Sequence, residues 1–104
     1  MDKEKLYQIS FQLILHSGNA RSLAMESIQK AKAGKFEAAE AKIREAEEEF
    51  VLAHRHQTEL IQGEASGNQI DLPIILVHAQ DHLMNALTVK DMAQEFIDLY
   101  KKLN

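Results

Sequence analysis

Phe36-Glu37-Ala38-Ala39-Glu40-Ala41-Lys42-Ile43-Arg44-Glu45-Ala46-Glu47-Glu48-Glu49-Phe50 places its apolar residues at three- and four-residue steps, the period of a helix and not of a strand. The seam runs on through Phe36, Ala39, Ile43, Ala46, Phe50, Ala53, Gln57 and Leu60. Glu40, Glu45, Glu47, Glu48, Glu49 and Glu59 occupy the other faces. Glutamates so placed read as a solvated helix surface before they read as an acidic metal site.

Outward from this segment, glycine and proline set the limits. Gly34, in Lys32-Ala33-Gly34-Lys35, is a C-terminal stop, because glycine enters the left-handed cap without a steric penalty. Gly63 and Gly67, with Ser66 and Asn68, form a second breaker region. Pro73 suits the first turn of a new helix, where a missing N–H is harmless. The spacing predicts helices over roughly 2–33, 36–63 and 71–102, each about 45 Å long if straight. The first carries Leu6, Ile9 and Leu13, then Leu23, Ile28 and Ala31, on one stripe. The last ends with Phe96, Leu99 and Tyr100 before Lys101 and Lys102, cations that suit a helix C-terminus. Short links make neighbouring helices antiparallel. The expected fold is all-α: an up-down-up three-helix bundle, with 1–104 as one domain.

The third segment is apolar on more than one side. Ile74, Val77, Asp81, Met84 and Thr88 form one heptad-like seam, while Leu76, Leu83 and Leu87 lie off it. One seam serves the bundle's own core, and self-association is the economical use of the other. A broad monomeric core enclosing both is the alternative.

Composition narrows the function classes. A chain of 104 residues and 11.8 kDa with 45% hydrophobic and 27% charged residues fits one globular domain. The net charge of −4 and the lack of any lysine or arginine block argue against a nucleic-acid partner. With no cysteine there is neither a disulfide framework nor thiolate chemistry. No apolar run approaches a membrane span or follows the opening residues as a signal peptide would, so a cytoplasmic location without membrane insertion is expected.

Chemistry concentrates in Val77-His78-Ala79-Gln80-Asp81-His82-Leu83-Met84. His78, Asp81, His82 and Asn85 fall at i, i+3, i+4 and i+7, near one helix face. Polar groups inside an apolar helix cost stability unless they are paired, solvated or used. A solvated rim is one reading. A metal held by His78 and His82 is another, although Ala79 stands where a zinc protease needs glutamate. In the third, one imidazole is a nucleophile that forms a phosphoryl intermediate, with nearby donors stabilising the oxygens. Antiparallel packing sets His78 near the level of His54 and Gln57 and of the stretch from Phe11 to Gly18. Gln57 interrupts an apolar seam there, which suggests a polar pocket. His16, His54 and His56 read singly as rim histidines.

The octapeptide around His78 resembles the phosphorylation segment of the lactose/cellobiose-class enzyme IIA proteins of the bacterial phosphoenolpyruvate-dependent sugar phosphotransferase system. Gly18-Asn19-Ala20-Arg21-Ser22-Leu23-Ala24-Met25-Glu26 is similar to that family's first helix, and Gly34-Lys35-Phe36 with Ala38 and Ala39 to its first turn. Ala53-His54-Arg55-His56-Gln57-Thr58-Glu59-Leu60-Ile61-Gln62 resembles its second helix, and Met92-Ala93-Gln94-Glu95-Phe96-Ile97 with Leu99-Tyr100 its third. The resemblance implies that His78 takes a phosphoryl group from the carrier HPr and passes it to enzyme IIB. The membrane enzyme IIC then carries a β-glucoside-type or lactose-type disaccharide. It further implies a homotrimer of nine helices, with Asp81 from each copy around a structural divalent metal such as Mg2+. His82 and Gln80 match flanking positions. Three carboxylates at an axis repel by about 4 kcal/mol per pair at 4 Å and an effective dielectric near 20, which a cation or protonation relieves.

A histidine phosphotransfer domain of two-component signalling is the nearest competitor, but it carries a lysine where Asp81 stands. A helical adaptor and a metalloenzyme using His78 and His82 complete the alternatives.

Overall fold

The computed structural model describes residues 2–67 and 69–104. It consists of helices α1 (Lys3–Lys32), α2 (Phe36–Ala65) and α3 (Ile74–Leu103), the expected all-α three-helix bundle. The Asp2 carboxylate caps α1 by accepting the Lys5 backbone N–H at 2.8 Å. Gly34 closes its other end at φ +76. There the Gly34 N–H donates to the Ala31 carbonyl at 3.0 Å and the Lys35 N–H to the Lys30 carbonyl at 2.9 Å. These are the paired bonds of a Schellman motif, so the chain reverses immediately into α2.

Two boundaries differ from expectation. Gly63 does not break α2, which continues to Ala65 before Gly67 turns at φ +90. A single helical glycine costs only about 1 kcal/mol, which neighbouring packing overrides. Asn68, read as part of the same breaker, lies outside the described residues. α3 starts at Ile74 and not at 71, with Pro73 outside it as an extended cap at φ −67, ψ 153. Proline biases the residue before it away from helix, which keeps Asp71 and Leu72 out of the first turn.

The molecule measures 54 × 21 × 15 Å. α1 packs along both other helices, while α2 and α3 meet each other far less. Leu6, Ile9, Leu13, Phe50, Leu60, Leu76 and Leu83 form the lower core, and Ala31, Ile43, Ala93 and Ile97 the upper one. Fully buried Ala20, Ala46, Ala53 and Ala79 let the helix axes approach. Along α1 the serines Ser10, Ser17 and Ser27 also face inward, while Leu23 and Ile28 are only partly covered. Ser10 and Ser27 donate to the Leu6 and Ala24 carbonyls, and among the described residues Ser17 Oγ is buried without a partner.

The two seams of α3 separate cleanly. Leu76, Ala79, Leu83 and Ala86 point into the bundle. Ile74, Val77 and Met84 stand outside it, 86%, 57% and 58% exposed. Phe96 and Leu99, read as the apolar end of the last helix, are also largely exposed, and Ile97 takes the inward place between them. Salt bridges tie the helices at their edges, Lys101 to Glu40 at 3.0 Å and Lys42 to Glu26 at 3.3 Å. The Lys42 ammonium is held above its ordinary range, first by its hydrogen bond to Glu26 and then by the charges of Glu26 and Glu45. Glu47, Glu48 and Glu59 are exposed, as the α2 pattern predicts, whereas Glu49 is partly buried.

Candidate functional site

His78 lies in the second turn of α3 and is exposed. One helical turn on stands His82, half-buried. Their Nε2 atoms are 3.0 Å apart, with ring centroids at 4.4 Å and planes at 85°. One nitrogen donates and the other accepts, so a single proton serves both. The contact aims the Nε2 tip of His78 along the helix toward residue 82, away from the α3 N-terminus.

Gln80 faces the other way. Its Oε1 accepts from the Gln57 Nε2 at 3.0 Å, joining α2 to α3 beside His78. The polar pocket expected from Gln57 therefore contains Gln80 and not the imidazole: Gln57 braces the segment and makes no bond to His78 among the described residues. Each amide lines a different apolar groove beside α2 and α3, Gln80 the first and Gln57 the second. The first, of about 510 Å³, is lined by Leu60, Ile61, Ile70, Leu72, Leu76 and Val77. The second, of about 530 Å³, is lined by Phe50, Val51, Leu83 and Leu87 with His54 and Arg55.

Asp81 is exposed on the outer seam. With Arg21, His82, Asn85, Thr88 and Val89 it lines a groove of about 350 Å³ between α1 and α3. Among the described residues of one protomer, no three histidine, cysteine, aspartate or glutamate side chains converge on a metal position. The close pair His78–His82 lacks a third ligand, and Asp81 supplies one carboxylate. Its donor set fits a divalent ion only where copies of the chain bring several such carboxylates together.

The other histidines serve a different face. His16 Nδ1 sits 2.6 Å from Glu49 Oε2, and its ring stacks on His56 at 6.1 Å and 11°. His56 approaches Glu59 at 3.8 Å, and His54 is exposed. His16 is thus a cross-helix tie, not a lone rim residue. Sequence reasoning missed Arg21 as a neighbour of the site. It lies three residues beyond the Phe11-to-Gly18 stretch set level with His78, so helix level alone did not reach it.

The family described as PTS system, Lactose/Cellobiose specific IIA subunit matches residues 8–101. The lichenan-specific phosphotransferase enzyme IIA component of Bacillus subtilis is 57% identical over 100 residues, covering 96% of this chain and 91% of that protein. The crystal structure of the PTS cellobiose-specific enzyme IIA from Bacillus anthracis superposes with a TM-score of 0.93 at 57% identity, over 99% of this chain and 93% of that one. The IIA component in the solution structures of the IIA(Chitobiose)–HPr complex of Escherichia coli superposes with a TM-score of 0.82 at 37% identity, over 99% and 98% of the two chains.

Proposed function

Because the chain belongs to the lactose/cellobiose-specific IIA family of the sugar phosphotransferase system, we propose that His78 is the residue that takes and returns its phosphoryl group. Members are phosphotransferase components that act through a phosphohistidine, and this chain is a phosphocarrier of the lichenan, cellobiose and lactose type. The observation that carries His78 is its exposed ring, with Nε2 held 3.0 Å from the Nε2 of His82. When His82 Nε2–H donates, His78 keeps its proton on Nδ1 and its Nε2 lone pair accepts, so His82 releases that bond as phosphorus approaches. Attack by that lone pair forms one P–N bond as the bond between phosphorus and the donor's ring nitrogen breaks. The His82 N–H is then free to donate to a phosphoryl oxygen. Incubation with phosphoenolpyruvate, enzyme I and HPr, followed by mass spectrometry, tests the assignment. An acid-labile phosphate on His78 is expected, and phosphate elsewhere or nowhere refutes it.

His82→Ala should slow uptake by about 10- to 100-fold without abolishing it, the range of one hydrogen bond to a charged group. Rapid-quench transfer from phospho-HPr measures this. A folded variant as inactive as one lacking His78 would make His82 a bonding residue instead. Gln80 and Gln57 act one step back, by bracing the segment across α2 and α3.

HPr as donor is supported by the relative solved in complex with HPr. Enzyme IIB is the acceptor, and the membrane enzyme IIC takes part only through it. No helix among the described residues is long and apolar enough to cross a membrane, which suits a carrier working in the cytoplasm. The similarity to lichenan- and cellobiose-specific proteins favours a β-glucoside-type sugar over lactose.

The protomer works as a homotrimer, a nine-helix assembly in which the outer seam of α3 is covered by its copies. Ile74, Val77 and Met84 together expose more apolar surface than a lone helix face needs. Sedimentation equilibrium at micromolar concentration should give about three times 11.8 kDa, whereas the monomer mass would refute the assembly. Asp81 lies on this seam, so three copies would meet near the axis around a structural divalent ion such as Mg2+. The phosphoryl transfer needs no metal.

A further inference from the structure

Arg21 is the only cationic side chain among the residues lining the groove that holds Asp81, His82 and Asn85. It makes no ion pair with any described residue. Cations elsewhere in the lower bundle are engaged or turned away. Lys5 pairs with Glu59 at 3.5 Å, and Arg55 lines the groove on the α2 side. On α3 itself the first lysine is Lys90, twelve residues beyond His78 and about 18 Å away along the helix.

The His78 ring gives the groove its meaning. Its Nε2 lies 3.0 Å from that of His82, which lines the groove, so a phosphoryl group bonded there takes the place of that contact and projects up the helix toward His82. It would bring roughly two negative charges beside the carboxylate of Asp81. Such a group needs a cation close by, and a guanidinium can hold two oxygens at once. We propose that Arg21 is a positioning residue for the phosphohistidine: it reaches across the α1–α3 groove to the phosphoryl oxygens and holds the group beside His82. This inference rests on the reading of His78 as the acceptor.

The test is transfer from phospho-HPr to Arg21→Gln and Arg21→Lys, followed in time, with the hydrolysis rate of the isolated phosphoprotein measured beside it. Arg21→Gln should lower the transfer rate roughly 10- to 100-fold, the range for losing a hydrogen bond to a charged group, and alter the phosphohistidine lifetime. Arg21→Lys should recover part of both, because it keeps the charge and loses the fork. Melting temperature and sedimenting mass should not move. Arg21→Gln transferring within twofold of the parent, while the parent is labelled on His78, would overturn this role alone. Equal defects in both variants that follow a loss of mass or melting temperature would also overturn it, and would make Arg21 a structural counter-charge to Asp81. A parent with no phosphate on His78 would overturn the functional reading and this inference with it.

Discussion

His78→Ala is expected to take up no phosphoryl group from phospho-HPr, a loss beyond a thousandfold, while keeping its helices and its oligomeric mass. Loss of a covalent nucleophile removes the bond-forming atom, which neighbouring donors cannot replace. The chain holds no cysteine to substitute for it. Of the remaining histidines, His16 is bound to Glu49 through Nδ1 and lies against His56, on the α1–α2 face. His82 is half-buried and would lose its hydrogen-bond partner in the variant. Packing should change little, because the His78 ring is exposed and among the described residues its hydrogen-bond contact is with His82 alone. Radiolabel transfer reads the activity, and circular dichroism with sedimentation reads the fold. Uptake at even a few per cent of the parent rate, in a folded variant, would move the acceptor to another residue.

The elements of the fold were legible because three periodic segments agree with their punctuation. Gly34 supplies the positive φ that its cap needs, and the α2 seam from Ala39 to Leu60 is the buried face except at Gln57. Gly63 misled because a glycine signals cost, and tertiary packing decides whether that cost ends a helix. The serines of α1 were invisible for a related reason. Ser10 and Ser27 satisfy their hydroxyls on their own helix's carbonyls, so they behave as small residues at close helix contacts. Within the site, the i, i+4 spacing brought His78 and His82 together, and the structure adds the nitrogen-to-nitrogen contact. Gln57 could be placed near the level of His78, but its partner could not be read. Level is set by helix rise, whereas the partner depends on the rotation of α2 about its axis, which turns Gln57 to Gln80.

Asp81→Leu is expected to stay trimeric, to melt no lower than the parent, and to ignore chelators. In the isolated protomer Asp81 is exposed, and replacing it with leucine would add one more apolar group to the surface. Convergence of three copies reverses that sign. Each carboxylate is then desolvated and repelled by the others, and a bound metal offsets only part of the cost. Leucine removes the charge and fills the gap between Val77 and Met84, both of which lie on the same outward seam. Exchanging buried charges for packed apolar groups is often neutral or stabilising by about 1–4 kcal/mol. With the proposed metal at the axis, the parent should lose thermal stability in EDTA and regain it when Mg2+ is restored. Phosphorylation of His78 should survive in the variant, since the attacking nitrogen and its His82 partner are untouched. Arg21 lines the same groove as Asp81. Because Arg21 makes no ion pair with any described residue, a parent indifferent to chelator would count against a metal at Asp81. A leucine variant that falls apart into monomers would remove Asp81 from the axis altogether.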